Sequence, residues 1–150
     1  MRRTSRLAAL LAAACLALPA HADESVDHPA VQEAAQRLEW EAVELLKEDR
    51  VLAALPLLEK SAALWEVAAG TNTRQTYRAL NSLQSAYFRV GRYAEMLAVM
   101  QRRLDIAREM FGESHDQVLL CMHNVAIGLE ALGRHAEARK MREDARRLRP

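Results

Sequence analysis

Apolar residues recur along this chain at steps of three and four, in stretches separated by short polar breaks. Leu97, Met100, Leu104 and Ala107 show the spacing, which gathers apolar side chains on one face of a helix. Six such stretches predict helices over about 29–48, 50–69, 73–90, 92–111, 115–132 and 134–148. No segment shows the two-residue alternation of a strand. Connections of two to four residues force neighbouring helices antiparallel.

The breaks are regular. Gly70, Gly91, Gly112 and Gly133 stand 21 residues apart, each just past an apolar stretch, where a helix end favours the left-handed backbone of glycine. One helix plus one turn fills 21 residues, so a helical hairpin fills 42. Superposing Leu80–Met96 on Met122–Ala138 aligns the apolar positions, the Gly-Arg pairs and the Ala-Glu pairs. One period before Gly91-Arg92 stands Asp49-Arg50, and Leu55, Leu58 and Leu64 align with Leu97, Met100 and Ile106.

The run from Leu80 to Glu95, L-N-x-L-x-x-A-Y-x-x-x-G-R-Y-x-E, resembles the tetratricopeptide repeat of the kinesin-light-chain type. Met122–Ala138 is similar, with Asn124 in place of that family's second Asn. Phe111–His115 resembles the loop between repeats, and Asp27-His28-Pro29 the same loop ahead of the first helix. Pro56 and Pro150 also fall where the family carries proline. The first repeat departs: Asp49 replaces the turn glycine, Glu41 stands where Leu83 and Val125 stand, and no Asn pair is present. The resemblance implies an all-α fold: three tandem helical hairpins, six antiparallel helices, stacked as a short right-handed superhelical solenoid. The repeats fall at about 29–70, 73–112 and 115–150, within a repeat domain spanning 29–150 after a lead of residues 23–28.

The first 22 residues read differently. Arg2, Arg3 and Arg6 precede the apolar run Leu7–Leu18, and Ala20-His21-Ala22 supplies the small residues a signal peptidase reads. Twelve apolar residues reach ~18 Å as a helix, against a hydrocarbon core of ~30 Å. Residues 1–22 are therefore expected to be a bacterial-type secretory signal cleaved after Ala22, placing the mature protein in the periplasm or outside the cell. The alternative is a lipoprotein anchored through Cys15, although Ala12 stands where such a box carries Leu.

Cleavage at Ala22 removes three arginines and no acid, turning a net charge of +1 into −2. A near-neutral chain does not fit a general nucleic-acid binder. Cys121 alone remains of the two cysteines, so no internal disulfide can form and packing must hold the fold. The last helix is basic: Arg134–Arg149 carries seven basic and three acidic residues around an inward stripe of Ala138, Met141, Ala145 and Leu148. It reads as a polar cap closing the array, or as a patch for an acidic partner or anionic lipid.

In stacked hairpins of this family the first helix of each pair lines a concave groove. On the third helix the groove-facing stripe is Arg74, Arg78, Asn81, Ser85 and Arg89, opposite an apolar face of Leu80, Leu83, Tyr87 and Val90. The corresponding positions are Gln32, Gln36, Glu39 and Val43 in the first repeat, and Asp116, Leu120, His123, Asn124 and Ile127 in the last. The resemblance implies that Asn81 and Asn124 bond the backbone of an extended peptide, which their paired donors and acceptor suit. The arginines could select an acidic side chain or a C-terminal carboxylate, or form a solvated face.

Catalytic signals are absent. His28, His115, His123 and His135 lack zinc-type spacing, Cys121 lacks a His/Asn arrangement, and no Gly-rich phosphate loop occurs. Glu39, Glu41 and Glu44 beside Lys47 read as a charged face. Trp40 and Trp65 read as packing residues of the first two helices, with Trp40, near the open N-terminal end, also placed as a contact aromatic. The expected function is an exported, non-enzymatic module, without cofactor or metal, that binds a peptide or protein in its groove. The alternative is a self-associating assembly protein of the envelope.

Overall fold

The computed structural model describes residues 28–149. The leader, its cleavage site at Ala22, Cys15 and Pro150 lie outside these residues. Six helices follow in order: α1 (His28–Lys47), α2 (Val51–Ala69), α3 (Arg74–Arg89), α4 (Tyr93–Phe111), α5 (Asp116–Ala131) and α6 (His135–Leu148). They match the predicted elements to within one residue at every end, and no strand occurs among the described residues. None of these helices is long and apolar enough to cross a membrane.

The turn within each hairpin is built the same way three times. The N–H of Arg50, Arg92 and Arg134 bonds the carbonyl five residues back, of Leu45, Tyr87 and Leu129, at 2.9, 3.0 and 2.9 Å. That closure requires a left-handed residue just before each arginine, and Gly91 and Gly133 supply it at φ 74° and 72°. Asp49 adopts the same conformation at φ 60°, so the loss of glycine has not changed the first turn. Asp tolerates this region better than most residues because its short side chain bonds locally.

Between hairpins the chain turns at Gly70 and Gly112, again at positive φ, and the next helix is capped. Thr73 Oγ1 accepts from the Thr76 N–H at 3.3 Å, and His115 Nδ1 accepts from the Gln117 N–H at 3.1 Å. Pro56 lies in the second turn of α2 with its ring exposed, and the helix runs on through it.

The main packing runs between successive helices, from α1 on α2 to α5 on α6. Leu58, Ile106 and Met122 are each about 1% exposed and Val118 and Val125 are fully buried, so one core runs the length of the array. Each such side chain contributes about 1.5–3 kcal/mol by leaving water. Where helices approach closely, the facing residues are small. Ser61 Oγ donates to the buried Ala35 carbonyl at 2.9 Å across α1 and α2. At Gly128 of α5, a Cβ would stand 3.0 Å from Met100 Sδ and 3.3 Å from Leu97 Cδ1 of α4. Gly128→Val is therefore expected to lower stability by about 1–3 kcal/mol through overpacking. Thermal and urea melts of the variant check this.

Candidate binding groove

Helix α3 divides into two faces. Thr76, Ala79, Leu80, Leu83, Ala86 and Tyr87 are buried, whereas Arg74, Arg78, Asn81, Ser85 and Arg89 are all exposed. On α5, His123 and Ile127 are exposed and Asn124 is half-buried; on α1, Gln36 and Val43 are exposed and Gln32 and Glu39 half-buried.

The first two repeats bring part of these stripes together. Gln32, Gln36 and Glu39 of α1 face Gln75 and Arg78 of α3 across a cleft of about 400 Å³, and Trp65 of α2 lines it as well. Trp65 is only 6% exposed, so it packs between helices as expected and also serves the groove. Trp40 does not pack: it is 69% exposed on α1, whose outer face meets no preceding helix among the described residues.

The arginines of the stripe are not equivalent. Arg89 donates to Asp49 at 2.5 Å, which ties it to the left-handed turn of the first hairpin. Arg74 and Arg78 have no acidic partner among the described residues, and Asn81 has no hydrogen-bond partner there. These groups are available to a ligand, and Arg89 must first release Asp49.

Between α3 and α5 the space is filled by a polar cluster that sequence reasoning missed. Arg103 of α4 is 7% exposed, lies with its guanidinium 4.5 Å from the centre of the Tyr77 ring, and donates to Gln84 Oε1 at 2.5 Å. Among the described residues its Nε has no partner and no carboxylate pairs with it. The Tyr77 hydroxyl accepts from Gln117 Nε2 at 2.6 Å and lies 3.2 Å from Cys121 Sγ. Burial, then the contact with Cys121, pushes the Tyr77 phenol above its ordinary range, and the Arg103 charge opposes the shift. Arg103 stands on the inward seam between Met100 and Leu104, where periodicity predicts an apolar residue. One period away stand Ser61 and Ala145, so the repeat carried no signal for it.

Among the described residues, no group of His, Cys, Asp and Glu is arranged to hold a metal ion. Residues 78–150 match the sequence model of the tetratricopeptide repeat family. No curated protein matches the chain. Among solved structures it is similar to the nearly identical TPR-like repeats of a protein designated a kinesin light chain from Podosopora anserina. The identity is 20% and the TM-score 0.60, over 77% of this chain and 54% of that one. A substituted form of the same repeats matches at 20% identity with a TM-score of 0.61. This chain therefore spans about half the length of the structures it matches. Their likeness establishes the fold, a stack of TPR-like helical hairpins, and the family match falls on the second and third repeats.

One tyrosine links the groove helix to its support. Tyr87 is buried, its hydroxyl donates to Glu59 of α2 at 2.6 Å, and the Arg92 guanidinium lies 4.9 Å from its ring centre. Burial first and the Glu59 bond second push its phenol up to about 12. The raised value means that the native state favours neutral Tyr87. Its contribution is full below the ordinary value of 10.0 and is lost as pH rises through about 12. Tyr87→Phe is expected to flatten the alkaline loss of stability across this window and to cost about 1 kcal/mol at neutral pH. Urea melts at stepped pH and phenolate absorbance titrations measure both effects.

Proposed function

We propose that this protein is an exported binding module that holds an extended peptide, or a peptide-like segment of a partner protein, against α1 and α3. The observation that carries this reading is the open cleft of about 400 Å³ with the unpaired Arg78 on its wall and buried Trp65 lining it. Arg74 and Asn81 extend the same exposed face, and His123, Asn124 and Ile127 continue the pattern on α5. Tetratricopeptide repeats generally mediate protein–protein interaction, which supports binding as the activity of a chain with this fold. The favoured ligand has an acidic side chain or a C-terminal carboxylate, because unpaired guanidinium groups form strong paired bonds with that group. Asn81 suits the ligand backbone. No catalytic constellation accompanies the groove, and the reading is of a non-enzymatic module.

Export rests on the leader in the sequence. Expression with the full leader is expected to yield an envelope or extracellular protein whose N-terminal residue is Asp23. Mature chains beginning at Cys15, or retention in the cytoplasm, would overturn that part.

Groove binding is tested by affinity capture from the envelope fraction, followed by titration of the captured partner. Arg78→Ala and Asn81→Ala are each expected to weaken binding, with Arg78 losing about tenfold or more, the scale of a charge-assisted hydrogen bond. Arg89→Ala should cost less, since Arg89 is already paired with Asp49. Equal affinity of the Arg78 and Asn81 variants and the parent would show that the groove is not the site.

A further inference from the structure

The two ends of the array carry opposite charges at positions that inside the array are apolar. Leu97, Met100, Leu104 and Ala107 are buried along one face of α4, and Leu97 and Met100 pack against Gly128 of α5. One period further on, the same positions of α6 are Arg139, Arg142, Arg146 and Arg149. On the receiving side, Val125 and Gly128 of α5 are buried, as are Leu83 and Ala86 of α3. In α1 these positions are Glu41 and Glu44. A solvated cap explains charge at each end. It does not explain why one end is basic and the other acidic at matching seam positions.

The shapes match as well. Two periods on from Gln32, Gln36, Glu39 and Trp65, which line the internal cleft, stand Asp116, Leu120, His123 and Arg149. They line a second cleft, of about 750 Å³, which Leu119, Arg142, Ala145 and Arg146 complete. The internal cleft is closed by Gln75 and Arg78 of the following helix, and the terminal one has no following helix among the described residues. The positions one period before Gln75 and Arg78 are Glu33 and Gln36 of α1. These, with Arg37, Trp40 and Glu41, form a shallow concavity on the opposite end of the molecule.

We infer that the protein associates head to tail with a second copy of itself, the α1 face of one molecule seated in the α5–α6 cleft of the next. Trp40, 69% exposed, rests on Leu119, Leu120 and Ala145, in reach of the arginines for cation–π contact. Glu41, and Glu44 once it shares or releases Lys47, meet the α6 arginines, of which Arg139, Arg146 and Arg149 have no acidic partner among the described residues. Of the residues that line the α1 concavity Arg37 is the one cation, with Lys47 paired to Glu44 beyond it at 2.8 Å, and Asp116 is the one carboxylate that lines the cleft. A heterologous contact of this kind leaves a free end on every copy, so association continues the helical stack rather than closing a dimer. This contact uses neither Arg78 nor Asn81, and stands whether or not the groove between α1 and α3 binds a partner.

Sedimentation velocity on the purified protein over a range of concentrations, in low and high salt, tests it. Association is expected in low salt and should weaken as salt rises. Glu41→Arg and Arg146→Glu, both at exposed positions, should each weaken association about tenfold or more, through loss and reversal of ion pairs at a partly desolvated interface. Mixing the two variants restores association, because the reversed face of one matches the reversed cleft of the other. Trp40→Ala should also weaken it. A parent protein that stays monomeric in low salt at every concentration, or variants that associate as strongly as the parent, would overturn the inference, as would a mixture no more associated than its components.

Discussion

A two-helix hairpin has more apolar surface than it can hide on its own. The first two hairpins have their second helix covered by the first helix of the next, as α5 covers Met96, Leu97 and Met100 of α4. That coverage requires close approach, and close approach requires Ala86 or Gly128 at the facing position. The exposed stripe of α3 exists because the opposite face is committed to these seams. The groove is thus a by-product of how the hairpins hide their apolar faces.

Against this mostly apolar interior, the polar cluster around Arg103 stands out. A buried guanidinium with an unpartnered Nε and no carboxylate is costly to keep. Its ring contact with Tyr77 and its bond to Gln84 offset part of that cost and pin α4 to α3. The Tyr77 hydroxyl then reaches Gln117 and Cys121 of α5, so one arginine organises side chains from both groove helices that flank it. The second and third repeats, which carry the family match, are joined by this network as well as by apolar packing.

Much of the fold was legible in the sequence. Glycines at 21-residue intervals mark a backbone conformation that few other residues adopt, and the three- and four-residue apolar steps admit one regular structure. The first turn was legible as a departure at Asp49, but its unchanged geometry was not, because Asp reaches the left-handed region at modest cost. The candidate site was legible at the level of a face. Periodicity places Arg74, Arg78, Asn81, Ser85 and Arg89 together, but it cannot show that Arg89 reaches Asp49, forty residues away in the chain. Trp40 illustrates the remaining limit: whether an aromatic on a helix is core or surface depends on whether a neighbour exists, and α1 has none before it among the described residues.

Helix α6 holds on by little. Ala138 is its one fully buried residue, with Met141, Ala145 and Leu148 half-covered, whereas α4 buries seven. In an array whose contacts run between successive elements, such a terminal helix can fray without disturbing the middle. Anything that binds the folded form of α6 then draws on a local unfolding equilibrium, so its apparent affinity includes the work of keeping that helix wound. The end of the molecule with the most unpaired charge is thus also the end whose order is most responsive to what it touches.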